Sequence, residues 1–138
     1  MKQIIDSIRR ALRTDAKIEA LVGLDGDSEV KAYQGVAKSN VDAPYIVWSV
    51  GAGVDSPPVY GDSYVLQDVM IRTSSWGRNP SEAWQIAEFI QEAFELADYA
   101  VDPWEKMFVR RVSFPVELPD RDTNLVQVAA DYILRFSR

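Results

Sequence analysis

Residues 124–136 have the sequence NLVQVAADYILRF, in which side chains of two kinds alternate. The first kind is uniformly apolar and comprises Val126, Val128, Ala130, Tyr132, Leu134 and Phe136. The second kind, at the positions between them, is half apolar. A period of two predicts a strand whose uniformly apolar side faces a layer of helices. The other side is too apolar for a sheet face that meets only water.

Helical periodicity precedes this strand in three places. Apolar residues spaced by three and four predict an amphipathic helix over residues 2–13. Asp15 is placed to cap a short second helix that ends at Gly23. Asn79-Pro80 has the start signal of a third helix over residues 81–97, in which an apolar stripe lies opposite several glutamates. These segments supply the predicted helical layer.

Other strand-like runs complete the predicted fold. They occur at 45–50, 64–73 and 108–116, with a weaker one at 30–33. Pro115 places the third run at a sheet edge or a bulge. A turn is predicted over 119–122, and a long hairpin connection over 51–63. We therefore predict one α+β domain over residues 1–138, with a mostly antiparallel sheet of about four strands and helices packed on one face.

The composition excludes several classes of chemistry. The 138 residues contain no histidine and no cysteine, so thiolate nucleophiles, disulfides and imidazole bases are excluded. The net charge of −6 argues against a general binder of phosphate backbones. No apolar run approaches the ~20 residues that a membrane-spanning helix needs, so no membrane partner is expected.

Possible catalytic and ligand-binding motifs are incomplete. Gly51-Ala52-Gly53 lacks the third glycine and the following helix of a dinucleotide loop. Asp25, Asp27 and Glu29 alternate as calcium ligands sometimes do, but a solvated turn explains them as well. We predict no catalytic residue, no metal ligand and no cofactor. An enzyme that uses only Asp, Glu, Tyr and Ser is the alternative.

The charge is distributed unevenly along the chain. It is +3 over residues 1–13, −11 over 14–105 and +2 over 106–138. This pattern is compatible with an ordinary solvated surface, or with head-to-tail contact between unlike patches of identical subunits. Arg9 and Arg13 share one face of the first predicted helix. They are either surface charges or contact residues.

Two further features are candidates for contact with a partner. Trp84 falls among the glutamates of the third helix, away from its apolar stripe. It either packs against the preceding loop near Trp76 or contacts a partner. The connection over 51–63 is long enough to be a binding loop, and its candidate contact residues are Val54, Asp55, Tyr60 and Asp62.

Taken together, the segments resemble the tail completion (tail terminator) family of long-tailed bacteriophages and prophages. The likeness covers nearly the whole chain and consists of short patterns. The first are the paired helices that include Ala11–Gly23 and the strand APYIVW at 43–48. A strand at 65–73 and a helix at 80–94 follow. The last are a strand at 109–116, the acidic turn PDRD at 119–122 and the final strand at 125–136. The acidic turn lacks the glycine expected there.

The resemblance implies a structural protein of the virion neck, with no active-site residues. It implies a homo-oligomeric ring, typically hexameric, that sits on the tail tube, stops its polymerisation and joins it to the head. Its partners would be copies of itself, the tail tube protein and a head-side connector protein, and DNA would pass through without specific binding. The implied location is the virion, with assembly in the host cytoplasm. Alternatives are a head-closure or minor tail component, or a small binding module of a bacterial cell.

Overall fold

The computed structural model describes residues 2–51, 54–56, 66–96, 105–112 and 114–137. Its helices are α1 (Lys2–Thr14), α2 (Ala16–Val22) and α3 (Pro80–Leu96), as the caps predict. The Asp15 carboxylate accepts hydrogen bonds from the backbone N–H groups of residues 17 and 18, each at 3.0 Å. None of the helices in these ranges is long and apolar enough to cross a membrane.

The strands form one mixed sheet. They are β1 (Ala32–Gln34), β2 (Tyr45–Val50), β3 (Val54–Ser56), β4 (Leu66–Gly77), β5 (Glu105–Arg111), β6 (Val116–Asp120) and β7 (Leu125–Ser137). The order is β1-β2-β4-β7-β5, with β3 also paired to β4 and β6 also paired to β7. The β1–β2 pair is parallel and the other pairs are antiparallel. The predicted α+β class and mostly antiparallel sheet are confirmed.

The predicted number of about four strands was too low, because the described part of the chain contains seven. The predicted strand 108–116 is interrupted, and β3 lies within the predicted connection over 51–63. β2 and β3 follow one another along the same side of β4, and β5 and β6 do so along the other free side of β7. Between Arg111, opposite Tyr132, and Val116, opposite Ala129, the edge chain has four residues where β7 has two, and the backbone N–H of Val112 donates to the Asp131 carbonyl at 2.9 Å. Pro115 lies in this irregular stretch, as expected.

Two predicted strand ends were also wrong. The strand predicted over 64–73 was expected to end at residue 73, yet β4 continues to Gly77, and Tyr45 of β2 pairs with Trp76. The predicted turn over 119–122 begins later, at residue 121, and Pro119 lies within β6. A proline lacks an N–H donor, and an edge strand such as β6 tolerates this lack.

The core lies between the helices and one face of the sheet, which we call the inner face. The uniformly apolar side of β7 belongs to it: Ala130, Tyr132 and Leu134 are at most 3% exposed. α3 packs over β4 and β7, and Phe94 of α3 meets the ring of Tyr132 edge-on at 5.2 Å. α1 and α2 pack against α3, and α1 also contacts β1. The prediction that this side of β7 faces helices is confirmed.

The opposite, outer face of the sheet has no helix over it in the described part of the chain. Its charges are paired across strands instead. Asp68 of β4 accepts two hydrogen bonds from Arg135 of β7, at 2.7 and 2.8 Å. Arg72 and Asp131 form a second pair at 2.9 Å. This face therefore carries both polar and apolar side chains, and its charged side chains are largely paired within the chain.

Candidate interaction surfaces

Trp84 links α3 to the edge of the sheet. Its side chain is 40% exposed, and its indole Nε1 donates a hydrogen bond of 2.7 Å to Glu117 Oε1 of β6. Trp76 is engaged elsewhere, since it stacks on Tyr45 with ring centroids 6.0 Å apart. Among the described residues, Trp84 is therefore bonded to β6, whereas the ring partner of Trp76 is Tyr45. The sequence separation of 33 between Trp84 and Glu117 explains why no local pattern signalled their contact.

An open groove of about 640 Å³ lies beside Trp84, between α3 and the β5–β6 edge. The α3 wall carries Trp84, Gln85 and Glu88, and the edge contributes Arg111 and Pro115. Tyr132 of β7 also lines the groove, and its burial raises the pKa of its hydroxyl to about 12. We call this feature the α3 groove. It is an open groove with several polar side chains, unlike the enclosed and mostly apolar pockets that bind small ligands.

Phe114 forms an apolar rim of the α3 groove beside Arg111. It is 84% exposed, and Val112, in the same irregular stretch between β5 and β6, is 45% exposed. The Arg111 guanidinium lies 5.5 Å from the centre of the Phe114 ring and donates a 3.3 Å hydrogen bond to Gln91 of α3. Sequence reasoning missed this rim, because a strand period alone assigns these residues to a paired strand.

The predicted basic residues of α1 lie at the other edge of the sheet. Arg9 forms a salt bridge of 2.9 Å with Asp6 and donates a 2.6 Å hydrogen bond to Gln34 of β1. Arg13 is half-buried, and its Nε has no hydrogen-bond partner among the described residues. The two arginines therefore do not present one free basic patch. Arg10, which the sequence analysis did not choose, is the exposed arginine of this helix.

The candidate loop is described only in part. Val54 and Asp55 belong to β3, where their backbones pair with Asp68 and Gln67 of β4. The loop expected over 51–63 therefore contains a short strand. Tyr60 and Asp62 lie outside the described residues.

The alternating acidic residues 25, 27 and 29 surround a lysine. Lys38 Nζ lies 3.1 Å from Asp25, 2.8 Å from Asp27 and 3.1 Å from Glu29. Burial opposes ionisation of Asp25, but hydrogen bonds from backbone N–H groups, the Tyr33 hydroxyl and Lys38 outweigh it and lower its pKa. Burial, with the hydrogen bond to Asp25, raises the pKa of Tyr33 to about 12. An ammonium group thus occupies the place that the calcium hypothesis assigned to a metal ion.

No cluster of three or more acidic side chains suited to a metal ion occurs in the described ranges. The described residues form two unlike surfaces at opposite edges of the sheet. One is the α3 groove with its apolar rim. The other is the exposed side of α1 together with the turns that flank β1, where Val36 and Leu24 are 80% and 51% exposed. We call the second surface the α1–β1 flank.

Comparison with known proteins identifies a relationship over nearly the whole chain. The family model described as tail completion protein gp17 matches residues 6–137. A chain in a solved structure titled "Virion of native gene transfer agent (GTA) particle" has a similar fold, with a TM-score of 0.66 and 16% sequence identity. The match covers 95% of this chain and 92% of that chain. No curated protein sequence matches significantly.

Proposed function

The chain belongs to the tail completion protein gp17 family, and on this basis we propose that it caps the tail tube of a long-tailed phage or prophage. As a tail completion protein it has a structural role in a phage tail and is not an enzyme. In the proposed role it forms a homo-oligomeric ring, with six subunits as the expected number. The ring stops polymerisation of the tube and presents a surface to a head-side connector protein.

The observation that carries this proposal is the extent of the family match, over residues 6–137. The match spans nearly all of the described fold, and we assign the role to the surfaces of this fold. Its two sheet edges carry unlike surfaces, which is the arrangement that a head-to-tail contact requires. Such contacts close into a ring when the rotation between neighbours allows it.

The charge supports passage of DNA without specific binding. The chain has a net charge of −6, and the excess of acidic residues falls in 14–105. A ring with an acidic bore would repel the phosphate backbone and let DNA move through it. A structure of the assembled ring with lysine and arginine side chains lining the bore would contradict this part of the proposal.

We assign the loop around Val54, Asp55, Tyr60 and Asp62 to contacts with the tube or the head. The test is Val54→Asp or Tyr60→Asp, with folding monitored by circular dichroism. We expect each variant to remain folded and to impair joining of tails to heads. Normal virion yields from both variants would remove the loop from the contact surfaces.

Deletion of the gene followed by electron microscopy of lysates tests the capping role. We expect overlong tails, because nothing would stop the tube, and we expect a plasmid copy of the gene to restore the normal length. Tails of normal length beside leaking heads would overturn capping and indicate a head-closure protein. Virions of normal appearance would overturn both neck roles.

A further inference from the structure

We propose that the α3 groove of one copy receives the α1–β1 flank of a second copy of this chain. This inference rests on the proposed ring and names the two surfaces that would form its repeating contact. The sheet order places β1 at one edge and β5, with β6, at the other. The α3 groove lies along the β5–β6 edge, and α1 lies against β1. The two surfaces are therefore on opposite sides of the subunit.

Charges of opposite sign without salt-bridge partners lie on α3 in the groove and on α1 in the flank. Glu88 is exposed on the α3 wall of the groove, and Lys2 and Arg10 are exposed on α1. None of the three has a salt-bridge partner among the described residues. In contrast, Glu92 on the same helix as Glu88 is already paired with Lys17, at 3.0 Å. Charges left without partners in the subunit, and of opposite sign on the two sides, are suited to meet between subunits.

Both surfaces also expose apolar side chains that the subunit itself does not cover. Phe114 stands at the rim of the groove, and Val36 and Leu24 stand on the turns beside β1. Single exposed apolar residues are ordinary on protein surfaces. Here they accompany the complementary charges on both sides, as in an interface with a mixed apolar and charged surface.

A second copy fits these observations better than the tail tube does. The surface complementary to the groove is present on the chain itself, and it lies at the far edge, where a closed head-to-tail ring requires it. A contact with another protein would leave the matching of the two edges unexplained. An isologous dimer would instead pair each surface with itself and bring like charges together.

Cysteine cross-linking tests the contact directly, because the natural chain contains no cysteine. The double variant has Gln85→Cys beside the groove and Gln3→Cys on the same face of α1 as Arg10. We expect a short bismaleimide to convert it, in the presence of purified tail tubes, into a ladder of covalent multimers. Each single-cysteine variant should give only background dimer.

A ladder restricted to the double variant supports the contact. Dimers formed equally well by either single variant would overturn it in favour of an isologous interface. A double variant that joins the tubes without forming a ladder would overturn the contact and leave the capping role intact. Both proposals would be overturned if the double variant neither cross-links nor binds tubes and if deletion of the gene leaves tails of normal length.

Charge reversal gives a second, independent measurement. Glu88→Arg and Arg10→Glu should each weaken assembly by about tenfold, because like charges would meet in the contact. Combining the two changes should restore most of the assembly, which a merely structural defect would not do. The matched controls are Glu19→Arg and Arg121→Glu, two exposed positions that are not among the residues named for either surface, and both should assemble normally. Reversals that act no more strongly than these controls would overturn the assignment of the charges.

Discussion

The two faces of the sheet are built from alternate residues of the same strands, yet they are stabilised differently. On the inner face, Leu134 of β7 lies between Val69 of β4 and Val109 of β5, under the helices. On the outer face, the neighbouring Arg135 lies opposite Asp68 and binds it. Burial of apolar surface stabilises the inner face, and ion pairs between strands compensate the charged side chains of the outer face. The fold therefore depends on the inner face, and the outer face and the edges remain available for contacts.

The largest expected difference between the faces is measured by Leu134→Ala and Ile133→Ala. Leu134 is 0% exposed and its truncation leaves a cavity, so we expect unfolding to become easier by about 3 kcal/mol. Ile133 is half-buried on the outer face, where water can fill the space, so we expect a loss of about 1 kcal/mol. Urea unfolding followed by tryptophan fluorescence checks both values. Equal losses would show that the outer face is as closely packed as the inner face.

A smaller effect is expected where the end of β4 meets α3. A Cβ added at Gly77 would lie 2.7 Å from the backbone nitrogen of Ala83. Because backbone atoms cannot move aside cheaply, Gly77→Ala should destabilise the protein by about 2 kcal/mol. Gly26→Ala is the matched control, since nothing lies within 4 Å of the added Cβ there and its backbone needs no positive φ. Thermal unfolding in which both variants melt like the wild type would contradict the close approach of β4 and α3.

The helices and β7 could be predicted from the sequence because their signals are local. Asp15 caps α2 through backbone groups two and three residues away, and β7 shows its alternation without reference to any other strand. The breaks between β2 and β3 and between β5 and β6 depend on register with distant strands. No short pattern specifies such a register, so the sequence analysis merged or missed these strands.

The candidate surfaces were predictable only in part, for the same reason. The position of Trp84 away from the apolar stripe was visible in the helical period, and the structure confirms that it is partly exposed. Its partner Glu117, the rim at Phe114 and the cluster around Lys38 join residues far apart in the chain. Arg9 was correctly placed on a helix surface, but its pairing with Gln34 of β1 was not foreseeable.

The ion pair between Asp68 and Arg135 on the outer face should make the stability of the protein depend on pH. The hydrogen bond from Arg135 lowers the pKa of Asp68 below its usual range, although partial burial opposes this. A lowered folded-state pKa stabilises the protein above the ordinary pKa of aspartate, and this contribution is lost as the pH falls below about 4. Asp68→Asn should therefore lower the melting temperature slightly at neutral pH and make it less sensitive to acid.

Melting temperatures between neutral pH and acid, measured beside those of Asp122→Asn, check this prediction. Asp122 is an exposed turn residue whose replacement changes the net charge by the same amount. The control should keep the acid sensitivity of the wild type. If Asp68→Asn were equally sensitive, the pair on the outer face would contribute nothing to stability.

The smallest effect on stability is expected at the edge, where the inner face opens into the α3 groove. Trp84→Phe removes the hydrogen bond to Glu117 at an exposed position, so we expect a loss below about 1 kcal/mol. Because Trp84 lines the α3 groove, we expect the same change to reduce assembly on tail tubes more than it reduces stability. Glu117→Gln keeps an oxygen acceptor for the indole and is the control for the charge. If the Trp84→Phe variant loses stability but assembles normally, this tryptophan only stabilises the fold. Its role would then be to hold α3 against β6, and it would not be a contact residue.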